Sequence, residues 1–407
     1  MHEWTKKAKR DLIHLVQPLI SIQQAEDFIS ENIHTLDHES VAMEHACGRF
    51  LAAEICADRP IPPYDRAMMD GIAISYQSYT EGNRDFPIAG IQAAGQPASE
   101  LINPNNCLEI MTGAVVPAGA NCVIKIEDVR IENEIAHLSP AATASLRQHI
   151  HPMGSDQAEG STLVSAHTTL GPAEIAIAAS VGQTQLTVAR IPKILLITTG
   201  DEVIPPAETP LEHQIRRSHA TAICSSISSH QLGNVENIHV PDTTEALESC
   251  LKSAIGEYDI VLLTGGISMG KYDYVEPVMS ALVGAPIFPG IAQRPGKPFA
   301  FWPGESTPVF ALPGNPASVM ACLARYTLPA LRKMRGEVWR PNVHPLADDI
   351  TWNAPFPGLL ASRLTKNEVH AKPPRNSGDY TALAGSQGIC ELPSTSPAGT
   401  PVPFYPW

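Results

Sequence analysis

The sequence is short of positive charge: 28 lysines and arginines stand against 42 aspartates and glutamates, for a formal net charge of -14. No basic run exceeds Lys6-Lys7-Ala8-Lys9-Arg10. This balance argues against nucleic acid or an anionic membrane surface as the main partner, and an anionic substrate would need a local basic pocket. The eight cysteines are scattered and form no CxxC pair, so each thiol reads as buried packing rather than as a catalyst. No apolar N-terminal segment has the form of a signal peptide or membrane span, and the expected location is a reducing cytoplasm. Tandem repeats and low-complexity tracts are also missing. At 407 residues the chain is too long for one ordinary core, which predicts two to four domains with separate hydrophobic clusters.

What is present centres on residues 193 to 273. Lys193-Ile-Leu-Leu-Ile-Thr-Thr-Gly-Asp-Glu-Val203 is a short apolar run that breaks at Gly200 and then places Asp201 and Glu202 where a buried strand would end. The pattern recurs in Asp259-Ile-Val-Leu-Leu-Thr-Gly-Gly-Ile-Ser-Met-Gly-Lys-Tyr-Asp273, which ends in Gly265, Gly266 and Gly270 with Asp273 beyond. Open α/β sheets bind ligands outside the carboxyl ends of their strands, where loops and helix N-termini offer free N–H groups. Two glycine-broken, acid-bearing strand ends therefore predict a pocket for a phosphate-bearing ligand and a divalent cation.

Around this stretch the texture varies. Residues 11 to 56 carry helical spacing through Leu12, Leu15, Leu19, Ala25, Ile29, Ile33, Val41 and Leu51, which predicts an amphipathic helical arm. A proline-rich joint at Arg59 to Asp65 leads into short strands and turns, a small β-rich domain. Within it, residues 110 to 127 taken alone read as an ordinary β-hairpin turning near Thr112-Gly113. Leu170 to Ser180 looks helical, with Pro172 in the first turn. Strand and helix then alternate: a helix near His219 to His230, a strand Val235 to Val240, and a helix from Ala246 capped by Asp242-Thr243-Thr244-Glu245. That alternation means a parallel sheet covered by helices. Arg294-Pro-Gly-Lys-Pro298 is a tight cationic turn before a strand Phe299 to Trp302. Gly314, Asn315, Pro316 and Ser318 then open an apolar helix ending near Arg335, with a start suited to an oxyanion. Beyond Trp339 the proline-rich short strands predict a small β-barrel or sandwich.

Six segments carry a family resemblance in order: Met69-Asp70-Gly71, Thr112-Gly113-Ala114, Thr199-Gly200-Asp201-Glu202, Gly265-Gly266-Ile267-Ser268-Met269-Gly270, Pro295-Gly296-Lys297-Pro298 and Leu312-Pro313-Gly314-Asn315-Pro316-Ala317-Ser318. Over about residues 20 to 390 the chain resembles the molybdopterin molybdenumtransferase family, MoeA, to which the gephyrin E domain also belongs. The resemblance implies an α/β multidomain fold. A discontinuous helical arm for dimerisation would comprise 1–56 and 157–190, and a small β-rich domain 57–156. A doubly wound, MoCF-type molybdopterin-binding domain would span 191–335 and a C-terminal β-barrel 336–407. It implies a cytoplasmic homodimer whose active cleft lies between sheet and barrel domains of one subunit and the small domain of the other. Molybdopterin adenylyltransferase and molybdoenzyme-maturation proteins are the implied partners.

The implied reaction takes adenylylated molybdopterin and molybdate, cleaves the phosphoanhydride with Mg2+, releases AMP and leaves molybdenum on the dithiolene. By motif match, Asp70, Thr112, Asp156, Glu202, Asp242 and Asp273 are the catalytic candidates, with Glu202, Asp242 and Asp273 holding metal or water. Thr199, Gly200, Gly265, Gly266 and Ser268 would bind the cofactor, while Arg294, Lys297, Pro298, Ser318 and Ser377 would hold molybdate, a tetrahedral dianion. The chain departs from the family at Ala67, Met68 and Ile72, at His151 and Gly290 where basic residues are usual, and at Lys271, where an acid is usual. Arg294 stands for lysine, keeping charge but not shape, and Arg363 is the nearest candidate for the family's barrel arginine. Lys271, Gly290 and His151 motivate one alternative, a catalytically weakened paralogue that binds molybdopterin or partner proteins; a second is a nucleotidyl-transfer or pyrophosphatase enzyme on the same sheet fold.

Overall fold

The structure is a computed structural model that describes residues 19–267, 274–374, 376 and 378–407. The N-terminal basic stretch and the expected sites Ser268, Lys271, Asp273 and Ser377 lie outside the described residues. The chain forms two compact units, one of residues up to 39, 48–50 and from 188 onward, the other of residues 40–47 and 51–187.

The first unit is built on a five-stranded sheet. Its strands are Lys193–Thr199 (β1), Asn234–Val240 (β2), Ile260–Thr264 (β3), Ala300–Trp302 (β4) and Val309–Leu312 (β5), in the order β2-β1-β3-β5-β4. All pairings are parallel except that of β4 with β5. Alternation of side chains explains why the strands read as continuous apolar runs. Ile194, Leu196, Ile260, Leu262 and Phe310 face helices His219–Ser229 (α1) and Pro316–Cys322 (α4), whereas Leu195, Ile197, Val261, Leu263 and Ala311 face Thr244–Ala254 (α2) and Val275–Val283 (α3). A sheet covered on both faces has no polar side to show. Thr243 caps α2 by accepting the Ala246 amide at 3.3 Å. Helix α4 continues through a π-helical segment, Leu323–Thr327, into Leu328–Met334.

The C-terminal strands Asn342–Pro345, Gly358–Thr365, Glu368–Lys372, Gly388–Leu392 and Pro401–Pro406 form an antiparallel sheet with its own core. Leu346, just past the first of these strands, bridges Val369 at the far edge, so the sheet curls into a barrel.

Two sequence expectations are corrected. The helical spacing over 11–56 resolves, among described residues, into one α-helix, Ile22–Asn32, followed by a strand at His38–Ala42 and a 3-10 turn at Met43–His45. The helix ends where Ile33 turns extended, and the later apolar residues come from separate elements that share the spacing by accident. In the second unit, the expected hairpin over 110–127 does not form. Strands Cys107–Ile110 and Cys122–Lys125 both pair with Gly71–Ile74, which lies between them in a six-stranded sheet. The connecting loop crosses over that strand, and periodicity within one segment carries no record of a third strand inserted from elsewhere.

One polar latch secures the start of the parallel sheet. Asp259, just before β3, accepts a fork from Arg190 at 2.6 and 2.8 Å and the Lys193 amide at 2.7 Å. Burial raises the Asp259 pKa, but the Arg190 hydrogen bonds and the Lys193 amide outweigh it and leave the carboxyl below its ordinary value. A depressed folded-state pKa adds stability above the unfolded value, and that stability is lost as pH falls through the folded one. Asp259→Ala is therefore expected to cost about 1–3 kcal/mol at neutral pH, with the gap to wild type closing below about pH 4. Urea unfolding at both pH values checks this.

Candidate functional site

Parallel strands deliver their following loops to the carboxyl edge of a sheet, and an antiparallel strand receives its preceding loop there. The register therefore lines up the motifs of the first unit. Asp242 follows β2, Gly200 to Glu202 follow β1, Gly265 and Gly266 follow β3, and Gly314 to Ser318 follow β5. Because Ala300 pairs with Ala311 and Trp302 with Val309, the turn Arg294 to Pro298 reaches the same edge from the other direction. Ten sequence-predicted residues (Thr199, Gly200, Glu202, Asp242, Gly265, Gly266, Arg294, Lys297, Pro298 and Ser318) thus come from a strand end, loops and a helix start at one edge.

At one end of this edge, Thr199, Asp242, Thr243, Gly266 and Tyr274 line a shallow pocket. Gly265 holds φ +99, and a Cβ there would lie 2.9 Å from the Thr199 hydroxyl, so the bare backbone is what lets the two strand ends meet. The Asp201 carboxylate accepts the Asp242 amide at 3.3 Å, tying the neighbouring loops together. The Glu202 side chain is exposed and Asp242 half-buried. Among the described residues no three His, Cys, Asp or Glu side chains cluster as a metal cage. Two carboxylates on adjacent loops nonetheless fit magnesium in its common mode, in which substrate phosphates and water complete the shell.

At the other end sits the cationic turn, where Arg294, Lys297 and Pro298 are exposed while Pro295 and Gly296 are buried. The turn is clasped to the barrel: the Arg294 amide donates to Pro357 O at 2.9 Å, and Leu359 N–H donates to Arg294 O at 2.9 Å. Gly296, at φ +87, packs against the first turns of α4, where a Cβ would meet Cys322 Sγ at 2.6 Å. Ser318 lies buried in that helix start, and Asn315 occupies the N-cap position without a side-chain capping bond. Arg294, Pro295, Trp352, Asn353, Pro374 and Asn376 surround a cleft of about 370 Å³.

The second unit holds the remaining described candidates, Asp70, Thr112 and Asp156. Asp70, just before strand Gly71–Ile74, accepts the Thr112 amide at 2.6 Å. That backbone bond, then the Thr112 hydroxyl, hold the Asp70 carboxyl below its ordinary pKa. Asp156 accepts from His151 Nε2 at 2.7 Å, and His151 Nδ1 meets the Arg66 guanidinium at 3.1 Å. A guanidinium only donates, so these partners make Nδ1 the acceptor and Nε2 the donor.

The departures now have places. Ala67 and Ile72 are core residues, 1 % and 0 % exposed, so these two departures lie in the core, whereas the Asp70 side chain is exposed. At Gly290 a Cβ would lie 3.1 Å from Lys297 O, so a side chain there would press on the cationic turn. Arg363 is exposed opposite His370 on the barrel sheet and does not line the Arg294 cleft.

Comparison with known proteins decides the family. Residues 20–182 match the model of the MoeA N-terminal region (domains I and II), and residues 195–333 match a probable molybdopterin binding domain. A molybdopterin molybdenumtransferase of Synechocystis sp. is 34% identical over 400 residues, covering 96% of this chain and 100% of that protein. The chain belongs to the molybdopterin molybdenumtransferase family. A namesake from Synechococcus elongatus is 33% identical, covering 89% of this chain and 93% of its own length. A solved molybdopterin biosynthesis MoeA protein from Pyrococcus superposes with TM-score 0.83 at 25% identity, covering 96% of this chain and 99% of that one.

In this MoeA-family chain, sequence reasoning passed over the support behind the cationic turn. Gln293, 1 % exposed, donates to Gly296 O at 3.0 Å and accepts from the Tyr326 hydroxyl at 2.5 Å. The only signal was a long amide inside an otherwise apolar run. Gln293→Leu should lose about 2 kcal/mol because it orphans the buried hydroxyl, and adding Tyr326→Phe should recover part of that loss. Chemical denaturation of the single and double variants measures both effects.

Proposed function

We propose that the chain completes molybdenum cofactor synthesis: it takes adenylylated molybdopterin and molybdate, cleaves the phosphoanhydride with Mg2+, and releases AMP, leaving molybdenum on the dithiolene. Family membership makes it a transferase of that pathway. The observation that supports the finer reading is the separation of charge along one sheet edge, with acids after β1 and β2 and cations before β4.

Each end suits one substrate. Arg294 and Lys297 present charge-assisted donors to a tetrahedral dianion, and Gly296 of their turn packs beside the Ser318 backbone. Thr199, Gly265 and Gly266 offer a close-packed floor for phosphate groups at the strand ends. Glu202 and Asp242 would hold magnesium, whose charge neutralises the phosphate oxygens as the anhydride breaks. Asp242 is fixed for that duty by its own amide, which anchors on Asp201.

Purified protein given adenylylated molybdopterin, molybdate and magnesium should release AMP, and no release by folded protein counts decisively against the reading. Lys297→Ala should raise KM for molybdate about tenfold or more while leaving binding of the nucleotide substrate near wild type, whereas Asp242→Asn should lower kcat. The resemblance also supports a homodimer, fed by an adenylyltransferase that makes its substrate. Sedimentation at micromolar concentration should give twice the mass of one 43.7 kDa chain, and a monomer would remove that part of the proposal.

A further inference from the structure

The substrate proposed above is a row of parts in a fixed covalent order. Adenosine joins the phosphoanhydride, the anhydride joins a short arm of the ring that bears the dithiolene, and that ring is fused to the pterin. The sheet edge is ordered too: acids follow β2 and β1, bare glycines follow β3, Ser318 follows β5, and the cationic turn precedes β4. With phosphates at the acids and the oxyanion at Arg294 and Lys297, the two sulfurs that receive molybdenum must lie at the cationic turn. The pterin fused behind them then continues past that turn, away from the acids. Past the turn stands the barrel, to which Arg294 is clasped at Pro357 and Leu359. The cleft of about 370 Å³ opens there, within the size range of small-molecule sites.

Its walls suit a flat, neutral ring with a hydrogen-bonding edge. Among the described lining residues, Arg294 is the one charged side chain. Trp352 supplies aromatic surface and is held at three points. Its amide donates to Thr395 Oγ1 at 2.8 Å, its indole N–H donates to Phe356 O at 2.8 Å, and its ring abuts Gly358, where a Cβ would lie 2.9 Å from Trp352 Cε2. Gly358 is also the barrel residue that bridges to Arg294, so the indole and the cationic turn meet at one glycine. Two carboxamides complete the lining. Asn353 is exposed, and its side chain makes no hydrogen bond among the described residues. Asn376 accepts the Gly378 N–H through Oδ1 at 2.9 Å, which leaves its NH2 to donate. A carboxamide carries donor and acceptor in one plane, the complement of the amino-oxo pyrimidine edge of a pterin. Carboxamides read adenine as well, so position selects the ring: the cleft adjoins the oxyanion end of the edge, not the acidic end.

We propose that this cleft binds the pterin ring of the substrate, with Trp352 against the ring and Asn353 and Asn376 on its pyrimidine edge. The assignment rests on the function proposed above and adds to it the residues that recognise the pterin. Molybdopterin without the adenylate serves as the probe, in anaerobic equilibrium dialysis against the full-length protein, with AMP and molybdate measured alongside. Asn353→Ala should weaken molybdopterin binding about fivefold to tenfold, and Trp352→Leu about tenfold or more. Trp352→Phe, which keeps an aromatic wall, should recover part of the second loss. AMP and molybdate affinities should stay at the wild-type level in Asn353→Ala.

Wild-type affinity for molybdopterin in either Asn353→Ala or Trp352→Leu overturns the assignment. Loss of AMP binding with molybdopterin binding intact also overturns it, by placing adenine in the cleft. Equal loss of all three ligands, with a lowered melting temperature, overturns it by showing a structural role. Should Trp352→Leu not fold, Asn353→Ala, at an exposed position, decides alone. A wild-type protein that binds molybdopterin through these residues yet releases no AMP removes the proposed reaction and leaves the cleft assignment standing. A wild-type protein that binds no molybdopterin and releases no AMP removes both.

Discussion

Strand direction is the constraint on which the site depends. With β1, β2, β3 and β5 parallel and β4 reversed beside β5, the four motifs that this sheet carries must emerge at the same edge, however far apart they lie in the chain. No long-range contact between those loops has to be evolved separately; the hydrogen-bonded register supplies their proximity. The chemistry then follows from what each loop presents: acids where β1 and β2 end, bare glycine backbone where β3 ends, and cations where β4 begins.

A second layer holds that edge rigid. Behind the cationic turn, Gln293 links Gly296 to Tyr326, so the turn is fixed to the helical run that starts beside Ser318. One residue earlier in that run, buried Arg325 donates to Glu26 of the N-terminal helix at 2.8 Å and to Glu391 of the barrel at 2.9 Å, with the Tyr405 ring 4.6 Å from its guanidinium. Removing either carboxylate would leave part of a buried charge uncompensated, which is far more costly than any net gain from the pairs themselves. Arg325 lies where the helix widens to π geometry, a distortion often tied to function. It joins three elements that are distant in sequence, and the Gln293 link passes that stiffness to the turn bearing Arg294 and Lys297.

Much of this was legible in the sequence, and the reasons are local. The runs Lys193 to Thr199 and Ile260 to Thr264 declared doubly covered strands by their lack of alternation, and Thr243 and Pro316 marked helix starts through their own chemistry. What stayed hidden depends on partners far along the chain. Strand Gly71–Ile74 inserts between two strands that read as neighbours. Gln293 gains its role only through Tyr326, 33 residues on.

On the proposed function, the cationic end of the sheet edge holds a tetrahedral metal oxyanion. Anomalous scattering at the molybdenum edge from crystals soaked in molybdate tests it most directly. The strongest peak should lie in contact with Lys297 and Arg294 beside Ser318. A peak well away from that turn, with nothing at Lys297, would contradict the account.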